Sequence, residues 1–148
     1  MDRGDLMGRI GDVLASRHVG VLATSGGDGP HATLVAFKAS ENCRRIVFST
    51  PRQTRKYANI KADPRAALLV DDRSNAARDI HDATGVTAVG TVAELSGSER
   101  SGAEKSYMER HPHLAEFVLS GSTALMELSV RRYVVVSRFQ EVFELEME

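Results

Sequence analysis

Thr54, Arg55 and Lys56 stand side by side in the stretch RRIVFSTPRQTRKYANIKADPRAALLV, residues 44–70, and together they could hold one anion. The stretch has three parts. Ile46 to Thr50 is β-rich and is cut by Pro51, which has no N–H to continue a central strand. From about Arg52 to Lys61 the pattern turns helical, with Tyr57, Ile60 and Lys61 at i, i+3 and i+4, until Asp63-Pro64 ends it. Ala66 to Val70 is apolar and strand-like again. The spacing thus puts Thr54, Arg55 and Lys56 in the first turn of a helix, just past the end of a strand. Unpaired backbone N–H groups gather there, and the helix dipole is positive. Cations stabilise the opposite end, so Arg55 and Lys56 are badly placed for helix stability alone. For a phosphate they are well placed, because amides, a hydroxyl, a forked guanidinium and an ammonium would converge on it. A solvated basic turn is the plainer alternative.

Other reactive residue types have simpler explanations. Ser25-Gly26-Gly27-Asp28-Gly29-Pro30 is glycine-rich, but no Gly-Lys-Ser/Thr follows and the next segment is a strand, so it reads as a hairpin turn. Arg44 and Arg45 beside Cys43 could acidify the thiol, yet nothing else marks a nucleophile, and a bland cysteine is expected. Asp79, His81 and Asp82 crowd one loop, and His111 and His113 form a pair without a nearby third ligand; neither group is expected to bind metal. His18 closes a helix at its negative end, which is reason enough for it.

The elements that would position the anion site follow from periodicity. Leu6, Ile10, Val13 and Leu14 give a helix from about Asp5 to Ser16 one apolar stripe. Val19 to Thr24 and His31 to Lys38 read as paired strands. The second carries His31, Thr33, Val35 and Phe37 on one face and Ala32, Leu34, Ala36 and Lys38 on the other, both mostly apolar. A loop over residues 71–85 has room for one helical turn at Ala77–His81. Val86 to Leu95 is a strand in which Gly90 marks a bulge or a close backbone approach. A polar helix from Ser98, its expected N-cap, to Arg110 follows, then a helical piece over Leu114 to Leu119. Three β-like runs end the chain at Ala124–Val130, Tyr133–Ser137 and Val142–Met147, with Phe139 between the last two.

The 148 residues suit one domain, 1–148, with a real core. A net charge of −1 gives no electrostatic case for nucleic acid or a membrane surface. A single cysteine excludes an internal disulfide, and no run approaches the ~20 apolar residues of a membrane helix or a signal peptide's apolar core. The expectation is a soluble, cytoplasmic protein.

In order along the chain, LAT-x-x-x-DG-P-H-x-x-x-V (22–35), FST-x-x-x-x-RK (48–56), the helix closed by DPR, and ALLV (67–70) resemble the pyridoxamine 5′-phosphate oxidase-like flavoproteins. The resemblance is clear over about residues 10–95. It implies a mainly β fold with flanking helices, an FMN-binding split β-barrel that is antiparallel and Greek-key-like. By the same resemblance Thr33, Leu34, Val35 and Ala36 would lie along the flavin ring, and Lys38 aligns with a cofactor-contacting lysine. Ser49 and Thr50 would meet the ribityl phosphate together with Thr54, Arg55 and Lys56. Asn75, with Asp72 and Ser74, would reach the cofactor of a second subunit, in a homodimer with FMN at the interface. FMN is expected over FAD, since no Gly-x-Gly-x-x-Gly is present.

The tail departs from the true oxidases, which end in a segment with tryptophan and arginines that helps hold pyridoxal. This chain ends EVFELEME and has no tryptophan. Vitamin B6 oxidation is therefore not expected. An FMN-dependent oxidoreductase is, passing electrons from a reduced nicotinamide to a small acceptor, with no evident general acid or base in the protein. The alternatives are a non-catalytic flavin carrier or electron-transfer protein, and a deazaflavin-dependent reductase.

Overall fold

Alternating apolar residues build seven antiparallel strands: β1 (Val19–Gly26), β2 (Gly29–Ala39), β3 (Arg45–Pro51), β4 (Arg65–Asp71), β5 (Gly85–Glu94), β6 (Thr123–Ser137) and β7 (Glu141–Glu146). They come from a computed structural model that describes residues 1–138 and 140–148; Phe139 lies outside the described residues. The sheet order is β3-β2-β1-β4-β5-β6-β7, and β3 also pairs with β6, which closes six strands into a barrel. The run β4-β1-β2-β3 is a Greek key, with the fourth strand returning beside the first after a long connection. That connection holds α2 (Arg55–Ala62).

The barrel is split. β2 pairs with β3 only over Phe37–Ala39 and Ile46–Phe48, whereas β3 stays paired with β6 as far as Pro51. Beyond Phe37 the two strands part, leaving the edge of β2 toward Pro30 without a strand partner on that side.

Helix α1 (Arg3–Ser16), capped by the Asp2 carboxylate accepting from the Asp5 N–H, presents Leu6, Ile10, Val13 and Leu14 to the barrel core. Leu22, Phe37, Phe48, Leu68 and Tyr133 meet that stripe from the inner face. A second, smaller cluster lies on the outer face of β3 and β6, where Val47 and Leu125 are covered by Tyr107 and Val118. These two come from α4 (Gly97–Arg110) and α5 (Ala115–Leu119).

The structure corrects several expected boundaries. Two of the three tail runs are one strand of fifteen residues, β6, because Arg131 is accommodated by a bulge instead of a turn. The register shifts opposite Val89 and Gly90, and a Cβ at Gly90 would lie 1.9 Å from the Ser129 carbonyl oxygen. Gly90 thus marks both a bulge and a close approach. The cap of α4 is Ser96, without a side-chain bond, and Ser98 lies inside the helix. The helical turn of the 71–85 loop is α3 (Asp79–Asp82). The two faces of β2 are not alike: Val35 and Phe37 are buried, while Leu34 on the other face is 67% exposed. Among the described residues, no helix is long and apolar enough to cross a membrane.

Candidate functional site

Thr54 is the N-cap of α2, its hydroxyl oxygen accepting from the Tyr57 N–H at 3.3 Å. Pro51 ends β3, and the Thr50 and Thr54 hydroxyls gather over its carbonyl, 3.0 Å from each other. The turn from strand to helix is thereby fixed by two hydroxyls. Arg55 and Lys56 leave the first helical turn side by side, as the sequence predicts, but with different surroundings. Arg55 pairs with Asp28 at the tip of the β1–β2 hairpin, 2.8 Å away, with both side chains largely exposed. Lys56 is half-buried and has no hydrogen bond or ion pair among the described residues. Burial without a compensating carboxylate pushes its ammonium pKa down. Neither side chain therefore simply points at solvent.

Glu94, at the end of β5, anchors this helix. Its carboxylate accepts from Arg52 at 2.7 Å and from the Tyr57 hydroxyl at 2.6 Å, with Lys61 at 3.7 Å. Burial pushes the Glu94 carboxyl up, but Tyr57, Arg52 and Lys61 outweigh it and hold it below its ordinary value. Arg52 also donates to the Gly121 carbonyl, so this guanidinium is committed to the scaffold. On the hairpin side, the buried Asn59 of α2 donates to the Thr24 hydroxyl of β1. A Cβ at Gly26 would fall 2.0 Å from Asn59 Oδ1, so a glycine is needed where the hairpin seats on the helix.

The other nominated residues fall into separate groups. Ser49 and Thr50 lie on opposite faces of β3. Thr50 is buried against Thr54, while the Ser49 hydroxyl bonds the Tyr107 hydroxyl at 2.9 Å. Tyr107 also bonds the Ala36 carbonyl at 2.9 Å, so a residue of α4 bridges β2 and β3 just where they part. Thr33, Leu34, Val35 and Ala36 line the open edge of β2, pairing with β1 on their other side. Lys38 lies past the point where β3 rejoins, opposite Val47, and donates to the Ala39 carbonyl. Asn75 has φ of 64° in a loop ordered by Asp79, which accepts from Ser74 and Ala76. That loop follows Asp71, at the end of β4 nearest the start of β1, whereas Arg55 meets the hairpin at the far end of β1. The separation is on the order of 20 Å at about 3.3 Å per residue. Within one chain, then, Thr50, Thr54, Arg55 and Lys56 come together and Asn75 does not join them.

Sequence reasoning missed Tyr107, Glu94 and Arg52. Tyr107 could have been found as the i+4 partner of Ala103, an apolar stripe in an otherwise polar helix. His111 is a core residue whose Nε2 meets the Phe37 carbonyl at 2.7 Å. Burial holds its pKa below the ordinary value, with Arg110, His18 and His113 adding to the effect against the Phe37 carbonyl. Cys43 is buried and its thiol is pushed up by burial, as a bland cysteine should be. Among the described residues, no cluster of histidine, cysteine, aspartate and glutamate could hold a metal.

Solved structures share this architecture. A heme binding protein from Mycobacterium smegmatis superposes with a TM-score of 0.81 at 21% identity, over 90% of this chain and 55% of that one. ChuZ of Campylobacter jejuni gives a TM-score of 0.84 at 14% identity, over 99% of this chain and 61% of its own. The chain thus spans a little over half the length of these two proteins. A Clostridium acetobutylicum protein related to general stress protein 26, of the pyridoxinephosphate oxidase family, matches end to end, with a TM-score of 0.76, 13% identity and 99% and 97% coverage. No curated protein is significantly similar in sequence. The family model described as pyridoxamine 5′-phosphate oxidase matches residues 6–143. The chain belongs to the pyridoxamine 5′-phosphate oxidase family.

Proposed function

We propose that this protein is a flavoprotein that holds FMN by its phosphate at the start of α2. One observation carries this. Lys56 is half-buried and unpaired among the described residues, beside the free N–H groups, the Thr54 hydroxyl and the Arg55 guanidinium of one helix N-terminus. A phosphate supplies the negative charge that Lys56 lacks. Thr50 supports Thr54 from behind, and the open edge of β2 from Thr33 to Ala36 offers backbone groups to a planar ring. Ser49 and Tyr107 close the bottom of that split, and Lys38 lies beyond the closure, where β2 and β3 are paired again. When bound, the flavin supplies the electron transfer; the protein supplies binding, orientation and exclusion of water.

The activity that follows is electron transfer from a reduced nicotinamide to a small acceptor, with a non-catalytic carrier or a deazaflavin enzyme as the alternatives. The active form is a homodimer. Val19, Leu34, Leu69, Val136 and Val142 are exposed across β1, β2, β4, β6 and β7. Strand register places Val19, Leu69 and Leu34 on adjoining strands, and Val136 directly opposite Val142, so this apolar surface is fit for a second copy. Asn75 would then belong to the partner's site.

The test is mass spectrometry and absorbance of the ligand released from purified protein by heat. FMN is expected. FAD, or no affinity for any flavin, overturns the proposal, and a haem Soret band in its place would align this chain with its mycobacterial neighbour.

A further inference from the structure

The Arg55–Asp28 pair sits where a phosphate would have to bind. Asp28 is a turn residue, between Gly27 and Gly29, and Gly29 has φ of 99°. A turn needs no particular charge at this point, since asparagine serves as well as aspartate. The hairpin tip is nevertheless held over α2. Gly26 lies against Asn59, Asn59 bonds Thr24, and Asp28 meets Arg55 Nη1 at 2.8 Å. The carboxylate thus takes up one of the two cations of the anion site, while the neighbouring Lys56 stays unpaired among the described residues.

We propose that Asp28 is an internal anion that competes with the ligand for Arg55, and so sets the affinity and selectivity of the site for phosphate-bearing ligands. The proposal rests on the reading of α2 as the phosphate site. A ligand phosphate draws Arg55 off Asp28, and it must do so against a carboxylate that repels it. A monoanion gains little from this exchange. A dianionic phosphate, with more charge and more acceptor oxygens, gains enough to displace the pair. Arg55 remains neutralised when no ligand is bound.

Because the pair is exposed it is weak, so its removal should be felt as a modest gain in ligand affinity. Asp28→Asn keeps the turn and removes the charge. The experiment measures Kd for FMN and riboflavin on the whole protein, before and after Asp28→Asn, in both the native and the Arg55→Ala backgrounds. Asp28→Asn is expected to tighten FMN by roughly two- to fivefold and leave riboflavin unchanged. In the Arg55→Ala background the gain should vanish. Unchanged or weaker FMN binding in Asp28→Asn overturns the proposal and leaves the phosphate site standing. An equal gain without Arg55 overturns it as well, because Asp28 would then act directly on the ligand. If the unsubstituted protein binds FMN no better than riboflavin, the phosphate site itself is wrong and the competition falls with it. Thermal unfolding of each variant without ligand shows whether the substitutions leave the fold intact.

Discussion

At the scale of single residues, the proposed site is defined by where its charges are left uncompensated. Lys56 is a cation kept partly from water at the positive end of a helix, an arrangement that works against the stability of the empty protein. Its folded pKa lies below 10.5, so the unfolded chain binds more protons between the two values. Stability of the empty protein should therefore rise as pH climbs through that window. FMN affinity should fall over the same window, because the phosphate needs the protonated ammonium. Chemical denaturation and FMN titration across the alkaline range would show these opposite slopes; in Lys56→Met both should flatten. Parallel slopes would remove Lys56 from the site. Glu94 gives the acid counterpart. Its carboxyl is held below 4.5, so its stabilising contribution is full above that value and is lost as pH falls through the lowered folded value. Replacing it with alanine should make stability less sensitive to pH in the acid range, read by urea unfolding from pH 3 to 6.

At the scale of elements, the split between β2 and β3 opens where β2 stays with β1 while β3 follows β6 to Pro51 and leads into α2. Glu94 fixes α2 from the β5 side, and Asn59 fixes it to β1. Glu94→Ala should lower stability by about 1–2 kcal/mol, since it strands Arg52 and Lys61 at a partly exposed site. It should also weaken FMN more than riboflavin by letting the first turn of α2 move; an equal effect on both ligands would mean that only the fold had suffered. Gly90→Ala places a methyl group into the Ser129 carbonyl and should cost about 3 kcal/mol or more, checked by the same denaturation.

Much of this was legible in the sequence. Strand alternation, the α1 stripe, the Pro51 break and the Asp63-Pro64 stop each report a local backbone preference, and each element formed within a few residues of its expected place. The placing of Thr54, Arg55 and Lys56 at one helix start was legible too, because they are contiguous. What was hidden depends on long-range pairing. Arg131-Arg132 looked like a break between strands because the bulge that absorbs it is set by Gly90, some forty residues earlier. Tyr107 bridges β2 and β3 from a helix that reads as polar and solvated. Asp28 reads as turn chemistry until α2 is seen beside it.

At the scale of the whole molecule, Val19, Leu34 and Leu69 stand exposed on adjoining strands, an apolar surface that a second copy would cover. Light scattering should give twice the chain mass, and Val19→Glu should return it to one chain without unfolding it. A monomer that keeps its flavin would contradict the shared-site proposal and leave Asn75 without a role.

The claim on which the rest depends is that α2 recognises a phosphate, and titration of FMN and riboflavin against Arg55→Ala/Lys56→Ala tests it most directly. Each charge-assisted bond contributes about 1.5–3 kcal/mol. Arg55 must first leave Asp28, so its share falls at the lower end. The double variant should bind FMN about 10²- to 10³-fold more weakly, with riboflavin changed less than about twofold. Equal weakening of both ligands, or no weakening of either, would contradict it.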